Sequence, residues 1–311
     1  MGGFIYLLFF VLAIDLIRAA AFFTGISLPV NPWSRMVTGM TVVFFVLVIL
    51  VYGTWNARNP RTVQYDVYLD AGTKGAEALT TIHAVLVSDI HLGTIVRNRH
   101  LEKLVDEINQ LQPDLVLFAG DMIDENVNHF IDEQMDDTLR QLNPPLGKYA
   151  VLGNHEYFGG HLREIVDHLE AADIRVLRDE GVMIQDAIYL IGREDIVSQR
   201  FTGIARKSLE SILGDVDPAI TPVVVMDHQP KTWHEARDTG VALQVSGHTH
   251  GGQLFPFGWI TRRLFEEDWG ILREDTGTLI VSSGYGTWGP PIRTGNRPEI
   301  VLINLISGYR Q

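Results

Sequence analysis

The chain has 311 residues, 46% of them apolar, with a formal charge of -13 and no cysteine. The acidic balance argues against a nucleic-acid surface, which rests on clustered Lys and Arg. Without cysteine there are neither disulfides nor thiolate ligands, so any metal must be held by oxygen and imidazole nitrogen.

Two apolar runs open the chain, Phe4 to Phe23 and Met36 to Tyr52, each near the roughly 20 residues that carry a helix across a bilayer. The first lacks the basic leader of a signal peptide, and the second follows after a short loop. That order favours a transmembrane hairpin over a cleaved signal or buried soluble helices. Trp33, Tyr52 and Trp55 stand near the ends of the runs, where amphipathic rings prefer the headgroup level. Asp15 and Arg18, three apart, share a helix face and are expected to pair near one helix end. Two crossings put both termini on one side, and Arg58 and Arg61 outweigh Arg35, so the rest of the chain is expected to be cytoplasmic. The polar stretch Asn56 to Thr62 divides a hairpin, residues 1–56, from a second domain, residues 57–311.

Beyond that boundary, Val63 to Leu69 and Thr81 to Val87 have strand character, and Asn98 to Leu111 carries helical spacing through Leu101, Leu104, Val105 and Ile108. A buried-type strand Asp114 to Ala119, a helix around Ile131 to Leu142, a strand Tyr149 to Leu152 and a helix Leu162 to Ala171 follow. Strands are then expected near Ile188 to Ile191, Pro222 to Met226, Ala242 to Val245, Thr278 to Ser282 and Glu299 to Leu305. Two packed sheets flanked by helices accommodate this α/β order, because each sheet must bury an apolar face.

Five of the strand-like segments run into polar clusters: Ser88-Asp89-Ile90-His91, Gly120-Asp121, Gly153-Asn154-His155-Glu156, Asp227-His228 and Gly247-His248-Thr249-His250. Each alone has an ordinary explanation. Gly-Asp and Gly-Asn make turns, and a lone histidine is more often hydrogen-bonded than a ligand. Together they supply what a pair of divalent ions needs, a carboxylate to lie between the ions and imidazole and oxygen donors on either side. Residues far apart in sequence meet outside the carboxyl ends of strands in open α/β sheets.

The order D-x-H, G-D, G-N-H-E, a separate H and G-H-x-H resembles the calcineurin-like metallophosphoesterase superfamily from Thr81 to the end of the chain. The two apolar runs, Gly247 to Gln253, and the stretches Pro290 to Arg293 and Arg297 to Ile300 are similar to its membrane-associated YkuE/YaeI-type branch. The resemblance implies a four-layer α/β/β/α sandwich behind a two-helix transmembrane hairpin. It also implies two divalent metal ions, with Mn2+, Fe or Zn2+ suited to oxygen and nitrogen donors. It assigns Asp89, His91 and His250 to one ion and Asn154, His228 and His248 to the other, with Asp121 bridging. It implies in-line hydrolysis of a phosphodiester or pyrophosphate by a metal-bound hydroxide. His155 would stabilise the transition state or protonate the leaving oxygen, the alternative being that it only orients a ligand. Glu156 and Asp124 are expected outside the ligand set, Asp124 as a helix cap or supporting group, and Asp227 is expected to point away from His228.

The segment Leu254 to Ile260 is unusually apolar for a connection, either a packed element or a lip that admits an acyl chain or leans on the bilayer. Arg262, Arg263 and Arg293 are then candidates to hold phosphate. Similar membrane-associated members include UDP-2,3-diacylglucosamine hydrolases of lipid A synthesis, so a phosphorylated, amphipathic or lipid-linked substrate is expected beside the bilayer. Two rivals remain: a catalytically inactive membrane scaffold that keeps the fold, and a mononuclear metalloenzyme.

Overall fold

The computed structural model describes residues 1–29, 31–69, 81–274 and 277–307. Beyond the first sixty residues the chain forms two six-stranded sheets. The first runs β1 (Arg61–Leu69), β12 (Glu299–Ser307), β2 (Thr81–Val87), β3 (Leu115–Ala119), β4 (Lys148–Val151) and β5 (Ile174–Val176). The second runs β10 (Gly270–Glu274), β11 (Gly277–Val281), β9 (Leu243–Ser246), β8 (Val223–Met226), β7 (Ile188–Gly192) and β6 (Glu180–Ile184).

Leu86, Leu117 and Val151 of one sheet meet Leu190, Val224 and Val245 of the other, so the main core lies between the sheets. The outer face of the first sheet, with Val85, Val116 and Phe118, is covered by Leu104, Ile108 and Leu169 from helices. Leu209 and Trp233 cover the second from outside. This is the expected four-layer α/β/β/α order. It explains why β3, Leu-Val-Leu-Phe-Ala, is buried at every position: a strand covered on both faces has no polar side to alternate with. Helix α3 (Asn98–Leu111; α1 is Gly2–Thr24 and α2 is Pro32–Ala57) buries only its stripe Leu101, Leu104, Val105 and Ile108, the i, i+3, i+4, i+7 pattern of a surface helix.

β2, β3 and β4 are mutually parallel, as are β8 and β9, so their carboxyl ends open on one edge of the sandwich. All five polar clusters leave from these ends. Where the structure departs from expectation, the causes are local. The helix expected over Ile131 to Leu142 is two single turns, Asn128–Asp132 and Met135–Leu139, broken where Gln134 turns left-handed at φ 50°. β5, β6 and β10 were not expected, being short or carrying charged residues among few apolar ones.

α1 and α2 are long and apolar enough to cross a membrane, and their side chains are mostly exposed. They run antiparallel, with Phe10 stacked on Phe45 at 6.3 Å, and Asp15 and Arg18 pair at 3.5 Å on the outside. Their domain-proximal ends are docked on the sandwich. Tyr6 and Val46 pack against Leu254 and Ile292. The Tyr6 hydroxyl donates to the Phe255 carbonyl at 3.1 Å, and Arg293 N–H donates to the Gly53 carbonyl at 3.0 Å. Asn56, expected to open a polar linker, instead ends a helix with its side chain buried, donating to the carbonyls of Arg293 at 3.0 Å and Asn296 at 2.6 Å.

Candidate metal centre

The expected ligand residues meet at the open edge. Single donor atoms of Asp89, His91 and His250 lie within 4.8 Å of one another, as do those of Asp121, His228 and His248, and those of His91, Asp121 and His155. Asp121 thus belongs with both sides. Asn154 joins the second group, its Oδ1 2.9 Å from His248 Nδ1 and 3.3 Å from His228 Nε2.

The chain reaches this geometry through an uncommon backbone. Asp89, His91, Asp121, His248 and His250 all have φ between 50° and 71°, the left-handed region that non-glycine residues rarely occupy. In the D-x-H and H-x-H pairs this turns both side chains of a pair to one side of the strand end. Each such residue costs on the order of 1 kcal/mol or more, a cost the surrounding fold must offset. Glycines supply the matching space: a Cβ at Gly153 would strike the Asp121 carboxylate, and one at Gly247 would strike Asp89.

Glu156 clasps two of these loops. Its buried carboxylate accepts from the N–H groups of Asp121 at 3.1 Å, Ile123 at 2.9 Å and Gly153 at 2.7 Å. Burial, and then the nearby Asp121 charge, push its pKa up to about 7 against those hydrogen bonds. Asp121 is fixed further by the His155 N–H at 2.9 Å, and Asp89 by the His248 N–H at 3.0 Å. Asp227 turns away, as expected, to Arg206 at 2.7 Å.

The donor chemistry fits a cation. His228 Nδ1 donates to the Ala119 carbonyl at 2.8 Å, so Nε2 is the nitrogen turned to the cluster. Nε2 faces Asp121 Oδ2 at 3.2 Å, Asn154 Oδ1 at 3.3 Å and His248 Nδ1 at 3.3 Å. A carboxylate, an amide oxygen and two imidazole nitrogens converge here, a donor set that suits a divalent ion once it displaces the proton on Nε2. The charges follow. Burial opposes a proton on His228, but the Asp121 carboxylate, then Asp89, raise its pKa well above the usual value. Burial, and then His228, depress His248 to about 3.

Asp124, expected as a helix cap or a supporting group, takes the supporting place. It lies in a loop, not at a helix cap, with one carboxylate oxygen 3.1 Å from His155 Nδ1 and 3.5 Å from His91 Nδ1. Burial opposes its ionisation, but these two histidines hold its pKa below the usual range. The other correction is Arg293. It cannot hold substrate phosphate, because its guanidinium is fully buried, donates to the carbonyls of Gly286 and Ser283, and stands 3.2 Å behind His250 Nδ1. No local signal marks it: the stretch is Pro-Pro-Ile-Arg, forty-three positions from His250.

A family model described as calcineurin-like phosphoesterase matches residues 82–252. The chain belongs to that family. An uncharacterized metallophosphoesterase of Aquifex aeolicus (strain VF5) is 36% identical over 79% of this chain and 91% of its own length. A "transmembrane protein with metallophosphoesterase domain" of Danio rerio is 30% identical over 83% of this chain, which spans 60% of that relative. The metallophosphoesterase YkuE of Bacillus subtilis (strain 168) is 28% identical over 72% of this chain and 78% of its own length. The family range covers all five polar clusters and ends just beyond His250, leaving the hairpin and residues 253–311 outside it.

Proposed function

We propose that the chain is a membrane-anchored phosphohydrolase, hairpin 1–56 and catalytic domain 57–311, that cleaves a phosphodiester or pyrophosphate bond in an amphipathic, lipid-linked substrate. A diacylated nucleotide sugar such as UDP-2,3-diacylglucosamine exemplifies that class. The catalytic domain would face the cytoplasm. One observation carries the substrate class: a cavity of about 660 Å³ joins the ligand cluster to the membrane hairpin. Asp121, Asn154, His155 and His248 lie at one end of it, and Met1 and Ile5 of the hairpin join Phe158, Leu254, Phe257 and Trp288 along its walls. Walls of this kind suit an acyl chain whose phosphate reaches the ligands.

Asp89, His91 and His250 would hold one divalent ion and Asn154, His228 and His248 the other, with Asp121 between. Divalent ions there supply Lewis acidity, activating water and neutralising phosphoryl oxygens. The chain's own groups do the rest. Glu156 and the His155 N–H keep the Asp121 carboxylate in one orientation. Burial opposes protonation of the His155 ring, but Asp124 outweighs it and raises its pKa, so the ring is ready to donate a proton to the departing oxygen. Phe158 and Trp288, 5.5 and 6.3 Å from that ring, narrow the approach of water.

The test compares a lipid-linked pyrophosphate with a soluble aryl phosphodiester, using the purified full chain with Mn2+ in neutral detergent. Phe257→Asp is expected to lower kcat/KM for the acylated substrate about tenfold or more, the value of one buried aromatic contact. Turnover of the soluble diester should be unchanged. If lipid-linked pyrophosphates stay intact while soluble diesters are cleaved well, the lipid assignment fails.

A further inference from the structure

A second cavity, of about 670 Å³, opens where α2 enters the domain, and none of the proposed ligands lines it. Its lining brings together Arg58, just past the end of α2, and Arg99, His100 and Lys103 on the first turns of α3. In a chain of formal charge -13, three exposed cations around one cavity make a local patch of positive charge. Lys103 pairs with Glu107 at 3.6 Å, and also donates to the Arg58 carbonyl at 3.1 Å. Among the described residues the guanidinium groups of Arg58 and Arg99 have no hydrogen-bond or carboxylate partner. The field they create is felt by the half-buried His100: burial, then Lys103, Arg58 and Arg99, all lower its pKa.

The depth of the cavity is set by α2. Ala57 and Arg58 line it and directly follow Tyr52 and Trp55, whose exposed rings lie 6.4 Å apart at the level that aromatic side chains take at a membrane surface. Basic pockets at this depth face lipid phosphates. The cavity also shares a wall with the metal centre: Gly286, Thr287 and Pro291 line it, while Trp288, Gly289 and Pro290 of the same loop line the apolar cavity.

We propose that Arg58, Arg99 and Lys103 form a binding site for the phosphate of an anionic phospholipid, drawn from the leaflet in which the domain-proximal end of the hairpin sits. The site is distinct from the catalytic one, and it rests on the membrane reading of α1 and α2. A headgroup held there seats the domain against the leaflet, with the shared loop between the lipid and the mouth of the apolar cavity.

The experiment titrates the full chain, purified in dodecyl maltoside, with dioctanoyl phosphatidylglycerol, dioctanoyl phosphatidylcholine or inorganic phosphate, counting bound molecules by native mass spectrometry. One phosphatidylglycerol per chain is expected, with phosphatidylcholine and free phosphate binding far more weakly. Arg58→Gln with Arg99→Gln should weaken binding about tenfold or more, the loss of charged hydrogen bonds to a phosphate. Arg58→Lys with Arg99→Lys should retain most of it, and Arg163→Gln with Arg175→Gln should change nothing. Hydrolysis of a soluble phosphodiester should be equal in all four proteins, which excludes misfolding as the cause. Undiminished lipid binding in the glutamine variant, or equal binding of phosphatidylcholine, overturns the proposal. Free phosphate binding as tightly as the lipid overturns the lipid assignment. Alkaline extraction judges the hairpin separately: release of the wild-type chain from membranes would break the membrane reading, whereas the titration judges the pocket alone.

Discussion

The two sides of the ligand cluster back their histidines in opposite ways. Behind His228 stands a neutral acceptor, the Ala119 carbonyl at 2.8 Å, which takes the outer N–H and turns the inner nitrogen to the cluster. Behind His250 stands a cation, the Arg293 guanidinium at 3.2 Å. Burial, and then His91 and Arg293, hold the His250 pKa well below the usual value, so the ring is neutral. A guanidinium can only donate, so the outer nitrogen of that neutral ring accepts and the proton sits on the inner one, 3.1 Å from His91 Nε2. Metal-binding histidines ordinarily have an acceptor behind them. To receive a cation the His228 side therefore needs only to release the proton on its inner nitrogen, while the His250 side must change tautomer or shift Arg293. Identical ligand types can differ in affinity through the group behind them.

The hardest test of this comparison is the shared carboxylate. Asp121→Asn should abolish metal pairing and turnover, because among the described residues the Asp121 carboxylate groups both with His91 and with His228 and His248; full activity would refute its role. Next is the histidine at the cavity wall. His155→Ala should keep both ions yet slow hydrolysis about a hundredfold or more, the range for general acid catalysis. Loss of metal in that variant would make His155 a ligand instead.

A smaller effect separates the two sides. His228→Ala is expected to lose both ions and His250→Ala only the weaker one, with the two wild-type affinities differing about tenfold or more, the usual worth of a backing group. Equal affinities in a competition titration would remove the asymmetry. The smallest effect is protonic. Below the raised pKa of His228 a proton competes with the cation on that side, so the tighter affinity should rise with pH and its binding should release a proton. The His250 ring is already neutral, so the weaker ion should show less of this. Calorimetry in buffers of different ionisation enthalpy measures both.

The sequence carried the cluster further than it carried its supports. Asp89-Ile90-His91 and His248-Thr249-His250 are legible because they recur with three other polar clusters at strand ends, and the structure brings donor atoms of Asp89, His91 and His250 within 4.8 Å of one another. The left-handed turns that make them converge are not legible, since positive φ stays uncommon even for Asp and His, which adopt it more often than other non-glycine residues. For Asp124 the sequence left a helix cap and a supporting role open, and only the contacts with His155 and His91 decide for the second. Arg293 was given to the substrate because its distance in sequence hides that it packs behind His250. Nine of the strands were legible from apolar runs and turn residues, but their order within the two sheets was not, and β5, β6 and β10 are too short or too charged to declare themselves. The apolar run Leu254 to Ile260 proved mixed. Leu254 is buried on the hairpin, while Phe255, Trp259 and Ile260 are exposed, and sequence alone cannot say that α1 completes the cavity wall.

The most direct measurement is the metal content of the full chain, loaded with Mn2+ in detergent, desalted and analysed by plasma mass spectrometry alongside Asp121→Asn. Two ions per wild-type chain, falling to one or none in the variant, is the expected result. One ion in both proteins would mean a mononuclear centre, and none in either would favour a scaffold that keeps the fold without the chemistry.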